Sequence, residues 1–193
     1  DLINLSDTYE NHFDTVRLKK VLYPVIDKML QWLLVMTPPT GEYLHFNDST
    51  QGVAPSFHML KQYAHRLGVP IREFRGNILY QDSGYCRIEQ GEFVIYCNCS
   101  EMGPTYIPGH AHADTLSFEM WVHGFKFLGN LGTSLYGVSK RRIFERGTSS
   151  HSTVVINNTN SSQVWAGFRV AKRADVISKV FDNGAFELQA SHN

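Results

Sequence analysis

After Pro70 the chain changes its punctuation, and this change constrains the fold more than any other feature. Upstream, apolar residues recur at Leu22, Val25, Ile26, Met29 and Leu33, the i, i+3, i+4, i+7, i+11 stripe of a helix packed on one side. Downstream, short β-branched and aromatic runs are separated by Asp82-Ser83-Gly84, Gln90-Gly91, His123-Gly124 and Asp182-Asn183-Gly184. Gly and Asn at such places supply the positive φ that tight hairpin turns require. Consecutive hairpins with no helix between them predict an antiparallel sheet. The expected class is therefore α+β, helical over residues 1–70 and all-β over 71–193, with the boundary near Val69–Arg72.

Within the helical part the pattern predicts a helix from Leu18 to Met36, with Pro24 marking a kink or a fresh start. Pro38-Pro39-Thr40-Gly41 ends it, and Glu42–Gln51 is a connection that contains Phe46-Asn47-Asp48-Ser49. Ser56 caps a second helix with Phe57, Leu60, Ala64 and Leu67 on its apolar face, and Gly68 before Val69-Pro70 stops it. Strands are expected at Asn77–Gln81, Tyr85–Gln90, Glu92–Cys97, Leu116–Val122, Phe125–Asn130, Ser152–Asn157, Ala166–Val176 and Phe186–Ala190.

Charge narrows the function. Eighteen basic and eighteen acidic residues leave a formal net charge of +0, so there is no basic surplus of the kind a general nucleic-acid binder needs. No apolar run approaches a membrane span, the longest being Trp32–Met36. The chain opens at Asp1-Leu2 without Met and closes within strand-like sequence, as a piece of a longer protein would. Aromatic residues at 12% serve a β core or a sugar-stacking surface equally well. Cys97 and Cys99 would face one side of a strand, a poor geometry for a bond between them. Cys86 can pair across a hairpin with either, though buried free thiols are the default.

Chemistry gathers in four places. Gly109-His110-Ala111-His112-Ala113-Asp114 precedes an apolar run, and in an extended chain its three polar groups would share one face. Asn130-Leu131-Gly132-Thr133-Ser134-Leu135-Tyr136 follows a strand and a Gly turn. Arg142 and Arg146 stand in a basic stretch, where planar guanidinium groups match the carboxylate or sulfate of an acidic sugar. His151 opens a further strand, so that two histidines of one strand and one of a neighbour can close a zinc site or simply hydrogen-bond within the sheet. His12, His45, His58 and His65 have no such company and read as ordinary surface or packing residues.

Taken in order, Gly109 to Phe118, Asn130 to Tyr136, Arg142, and Arg146-Gly147-Thr148-Ser149-Ser150-His151-Ser152-Thr153-Val154 resemble the heparinase II/III-like family. The resemblance implies the end of an α/α toroid over 1–70 and the first part of an antiparallel β-sandwich domain over 71–193. It implies a polysaccharide lyase that cleaves uronic-acid polymers by β-elimination, exported to the periplasm or secreted. By the same resemblance His110 is the active-site histidine, Tyr136 a cleft tyrosine, and His112, Asn130 and His151 a metal site, usually zinc, with Asp114 orienting its neighbours. If His110 faces substrate while His112 faces a metal, a bend or bulge near Ala111 is expected.

The chain departs from the family pattern at Asn130, an uncharged and weaker zinc ligand where Asp is frequent, and at Ser152, where Asn is usual. The toroid's own catalytic motifs are expected upstream of Asp1, since neither Tyr9 nor Tyr23 stands in their context. Two other readings fit the same scaffold: a non-catalytic factor that binds polysaccharide or assembles surface glycan, and a β-sandwich carrying a zinc clip.

Overall fold

A computed structural model of the chain describes residues 2–8 and 15–193, so that Tyr9 and His12 lie outside the described residues. The chain divides into two compact units, 1–37 with 52–75 and 38–51 with 76–193. The helical unit contains α1 (Leu2–Thr8), α2 (Thr15–Val35) and α3 (Phe57–Arg66). Helix α2 runs through Pro24 without interruption. Its stripe buries Leu22, Ile26 and Leu30 against Ile3, Ala64 and Val69, and Tyr23 donates its hydroxyl to Leu67 O at 2.7 Å. Helix α3 begins where expected, with the Ser56 hydroxyl accepting from Met59 N, and ends before Gly68 at φ +70°. Among the described residues the helical part amounts to these three helices and not to a ring of helix pairs.

The β unit is built on a five-stranded antiparallel meander: β1 (Ile78–Tyr80), β2 (Tyr85–Gln90), β3 (Phe93–Asn98), β4 (Phe118–Val122) and β5 (Phe125–Leu128), adjacent in that order. The predicted hairpins form. Gly91 and Glu92 join β2 to β3, and His123 (φ 51°) with Gly124 (φ 81°) joins β4 to β5, the left-handed pair that matches strand twist. One sheet face carries Leu79, Cys86 and Ile88. Phe181 and Leu188 of the hairpin β8 (Val176–Asp182) and β9 (Glu187–His192) pack on it. The other face buries Tyr96 against Trp121, edge-on at 5.4 Å, together with Arg87 and Glu119.

The structure changes or sharpens the sequence reading in five places. Gly109–Ser117 forms no strand. It belongs to an irregular excursion between β3 and β4, turning at Ala111 where its N–H bonds Pro108 O at 2.9 Å. Ser152–Asn157 forms only an isolated bridge, Ile156 to Thr159. Of Ala166–Val176 only β7 (Arg169–Val170), paired with β6 (Val164–Trp165), and the start of β8 are extended. The basic stretch is a short helix, α4 (Lys140–Glu145), capped by Ser139. The connection 38–51, assigned to the helical part by sequence, joins the β unit as a strap because its polar side chains bond there.

Candidate functional site

The strap delivers the centre of the site. Asn47 takes a left-handed conformation (φ 52°), which Asn tolerates, and makes three hydrogen bonds, two to the excursion and one to β2. Its Oδ1 accepts from His112 N at 3.1 Å, its N–H donates to Asp114 Oδ2 at 3.0 Å, and its Nδ2 donates to the Tyr85 hydroxyl at 3.3 Å. Gly132, at φ 67°, lets the strap approach. A Cβ there would stand 3.1 Å from His45 Cγ and from Ser49 O.

Asp48 is the hub. Its Oδ1 accepts from His112 Nε2 at 2.6 Å, from Thr133 Oγ1 at 2.9 Å and from Arg142 Nη1. Its Oδ2 accepts from His110 Nδ1 at 2.8 Å and Arg142 Nη2 at 2.7 Å, while its backbone oxygen receives the Tyr136 hydroxyl at 3.3 Å. Burial pushes the Asp48 carboxyl up, but hydrogen bonds from His112, Arg142 and His110 outweigh it and hold the group well below the usual carboxylate range. Sequence reasoning passed Asp48 by. An Asn-Asp pair in a connection resembles an ordinary turn, and its partners lie 62 to 94 residues away.

The predicted residues separate by environment. His112 is wholly buried, and its Nδ1 meets His151 Nε2 at 3.3 Å. Burial, with the neighbouring His112, pushes His151 down to about 3. Asn130 is also buried, its Oδ1 accepting from Ser152 N at 2.8 Å and its N–H donating to Glu119 Oε1 at 2.9 Å. Asp114 is buried too. Burial raises its carboxyl, opposed by the Asn47 N–H, and it orients the strap and not the metal candidates.

The expected zinc set does not close. The two facing imidazole nitrogens have suitable spacing, but the third position is a neutral amide whose oxygen already accepts a hydrogen bond. Among the described residues, no three His, Cys, Asp or Glu side chains converge on a metal position. His151 Nδ1 and Asn130 Nδ2 are buried without a hydrogen-bond partner, and neither supplies an anionic donor.

Both arginines assigned to an acidic sugar are fully buried. Arg142 grips Asp48 in a two-pronged pair, donates Nε to Gly167 O at 3.0 Å, and lies under the rings of Tyr136 (5.5 Å) and Phe168 (5.3 Å). Arg146 spends its guanidinium on carbonyls, with Nε and Nη2 to Ala111 O at 3.2 and 2.9 Å and Nη1 to Trp165, Ala166 and Arg169. The short helix and its C-cap turn both side chains inward, so the pair anchors the histidine excursion and the strap instead of facing solvent.

What remains exposed is small and aromatic. The His110 side chain is 72% exposed and edge-on to Phe168 at 5.5 Å and to Tyr136 at 6.3 Å. Tyr136 and Phe168 run nearly parallel, 10° apart, and both are partly open to solvent. An imidazole beside a phenol and a flat apolar ring can meet the face of a sugar and exchange protons with it. Phe168 carried no chemical signal in the sequence, since an aromatic residue near a strand reads as core.

The family model for the heparinase II/III-like C-terminal domain matches residues 75–193, and the chain belongs to this family. No curated protein matches it. Among solved structures it is similar to a heparinase III at 17% identity, covering 92% of this chain and 30% of that one with a TM-score of 0.66. A second heparinase III matches at 16% identity, 94% of this chain, 32% of that one and a TM-score of 0.65. A mutant of the heparan sulfate lyase HepC from Pedobacter heparinus matches at 18% identity, 94% of this chain, 30% of that one and a TM-score of 0.64. These likenesses establish the fold, and the chain spans about a third of the length of the structures it matches.

Proposed function

We propose that this chain is part of an exported polysaccharide lyase that cleaves a uronic-acid polymer by β-elimination. Family membership supports the class. The observation that carries the reading is His110, an exposed imidazole on a buried ionic base with a phenol and a phenyl ring beside it.

β-Elimination takes the C5 proton beside the uronate carboxylate, forms the C4–C5 double bond and expels the glycosidic oxygen. That proton is weakly acidic, so the reaction needs a positioned base and neutralisation of the carboxylate. His110 serves as base or neutraliser. In this reading Tyr136, whose hydroxyl donates to Asp48 O at 3.3 Å, returns a proton to the departing oxygen. Phe168 offers its face to a sugar ring. No step runs through a metal. No helix among the described residues is long and apolar enough to cross a membrane, and export rests on the family resemblance.

The test is to incubate the full-length protein with heparan sulfate, heparin and alginate and follow the ultraviolet absorbance of unsaturated uronate. Absorbance should rise on at least one polymer, and His110→Ala should slow it by roughly 10²- to 10⁴-fold. Tight polymer binding with no absorbance on any of them would defeat the lyase and select a glycan-binding role.

A further inference from the structure

The Asp48 carboxylate meets more donors than it has comfortable room for. An ionised carboxylate accepts only, at about four lone-pair positions. Here five side-chain atoms approach it: His110 Nδ1, His112 Nε2, Thr133 Oγ1 and two nitrogens of Arg142. The carboxylate has no hydrogen to give, so any group that hydrogen-bonds it must be the donor. For the arginine and the hydroxyl this is routine. For a histidine it determines which nitrogen holds the proton.

We propose that Asp48 is the positioning residue of His110, holding a proton on Nδ1 at 2.8 Å and so presenting the Nε2 lone pair outward beside Tyr136 and Phe168. The proposal rests on the lyase reading for its purpose and goes beyond it in assigning His110 the proton-accepting role. A neutral ring anchored in this way cannot donate a hydrogen bond through Nε2 to the substrate carboxylate. It can take the C5 proton there, becoming an imidazolium whose new charge faces the Asp48 carboxylate through Nδ1. Neutralisation of the substrate carboxylate then falls to another group.

The supports of Asp48 explain why this geometry holds. Arg142 approaches both carboxylate oxygens and is itself pinned by Gly167 O at 3.0 Å. His112 bonds the other oxygen from a wholly buried position. The carboxylate cannot swing, so the exposed ring that bonds it is held by a rigid partner. The strap that supplies Asp48 comes from outside the histidine motif and is fastened by Asn47 to the backbone of His112. The excursion alone would leave His110 free to rotate.

The experiment labels histidine with ¹⁵N in the full-length protein and reads the ring-nitrogen shifts at about pH 8, above the ordinary histidine range. The His110 signals are identified by their loss in His110→Gln. Wild type should show a protonated, pyrrole-type Nδ1 and an unprotonated, pyridine-type Nε2. In Asp48→Asn the two nitrogens should average or exchange roles. On any polymer the protein cleaves, kcat should fall by about 10- to 100-fold with KM unchanged, and Asp48→Glu should recover part of the loss.

A wild-type spectrum with the proton on Nε2 overturns the inference, and needs no variant to fold. An unchanged His110 spectrum in folded Asp48→Asn overturns it too. The expected spectrum together with no unsaturated product on any polymer upholds the positioning and defeats only the lyase reading.

Discussion

Two interiors lie within one β unit, and they are held by opposite means. On one face of the meander, Leu79, Cys86 and Ile88 meet Phe181 and Leu188, and stability there comes from apolar surface removed from water. Around Asp48 the interior is ionic, with His112, Thr133 and Arg142 buried and every contact directional. An apolar core tolerates small changes in shape. A buried ionic web does not tolerate the loss of a partner, because the remaining charge is left without water or counter-ion. The difference bears on the proposed positioning of His110, whose one hydrogen bond to Asp48 ties an exposed ring to the ionic interior.

The largest break in this comparison should come from Asp48→Ala. It strands the fully buried Arg142 guanidinium, and chemical denaturation should show a loss of about 3–5 kcal/mol. The two interiors should next separate in acid. His151 lies at about 3 when folded against its usual 6.5, so its contribution is complete above about pH 6.5 and is lost as pH falls towards 3. Asp48 is also depressed, and its contribution is complete above the usual carboxylate range and lost below it. Stability should therefore fall by up to about 1.4 kcal/mol per pH unit for each group in its own window. The apolar face does not titrate there, since burial pushes the Cys86 thiol up to about 12. The smallest effect should be Ile88→Val, costing about 1 kcal/mol with the acid profile unchanged.

Much of the scaffold was legible because its signals are local. The His123-Gly124 turn, the Ser56 cap and the Gly68 stop each depend on residues within a few positions, and each forms as read. The site was legible by residue type and not by role. His110, His112, Asn130, Tyr136, Arg142 and His151 all lie in the β unit, and strand periodicity misled only for His110, His112 and Asp114. The backbone at Ala111 and His112 is satisfied by Arg146 and the strap, and only Leu116 and Ser117 reach strand β3, at Asn98. The alternation that would have aligned His110, His112 and Asp114 therefore never arises. Arg142 and Arg146 suit the carboxylate or sulfate of an acidic sugar by residue type, whereas α4 and its C-cap turn them inward to bond carbonyls and Asp48.

By itself the sequence determined the class of this protein: helices first, then hairpins joined by left-handed turns, with an ordered set of motifs whose family the model for residues 75–193 matches. Those properties follow from backbone preferences and from short motifs in order, which need no partner from afar. Only the tertiary structure decided which histidine is buried, where the arginines spend their charge, and that Asp48 binds them together. A carboxylate's role is set by the donors that surround it, and here those donors are brought from segments 62 or more residues away.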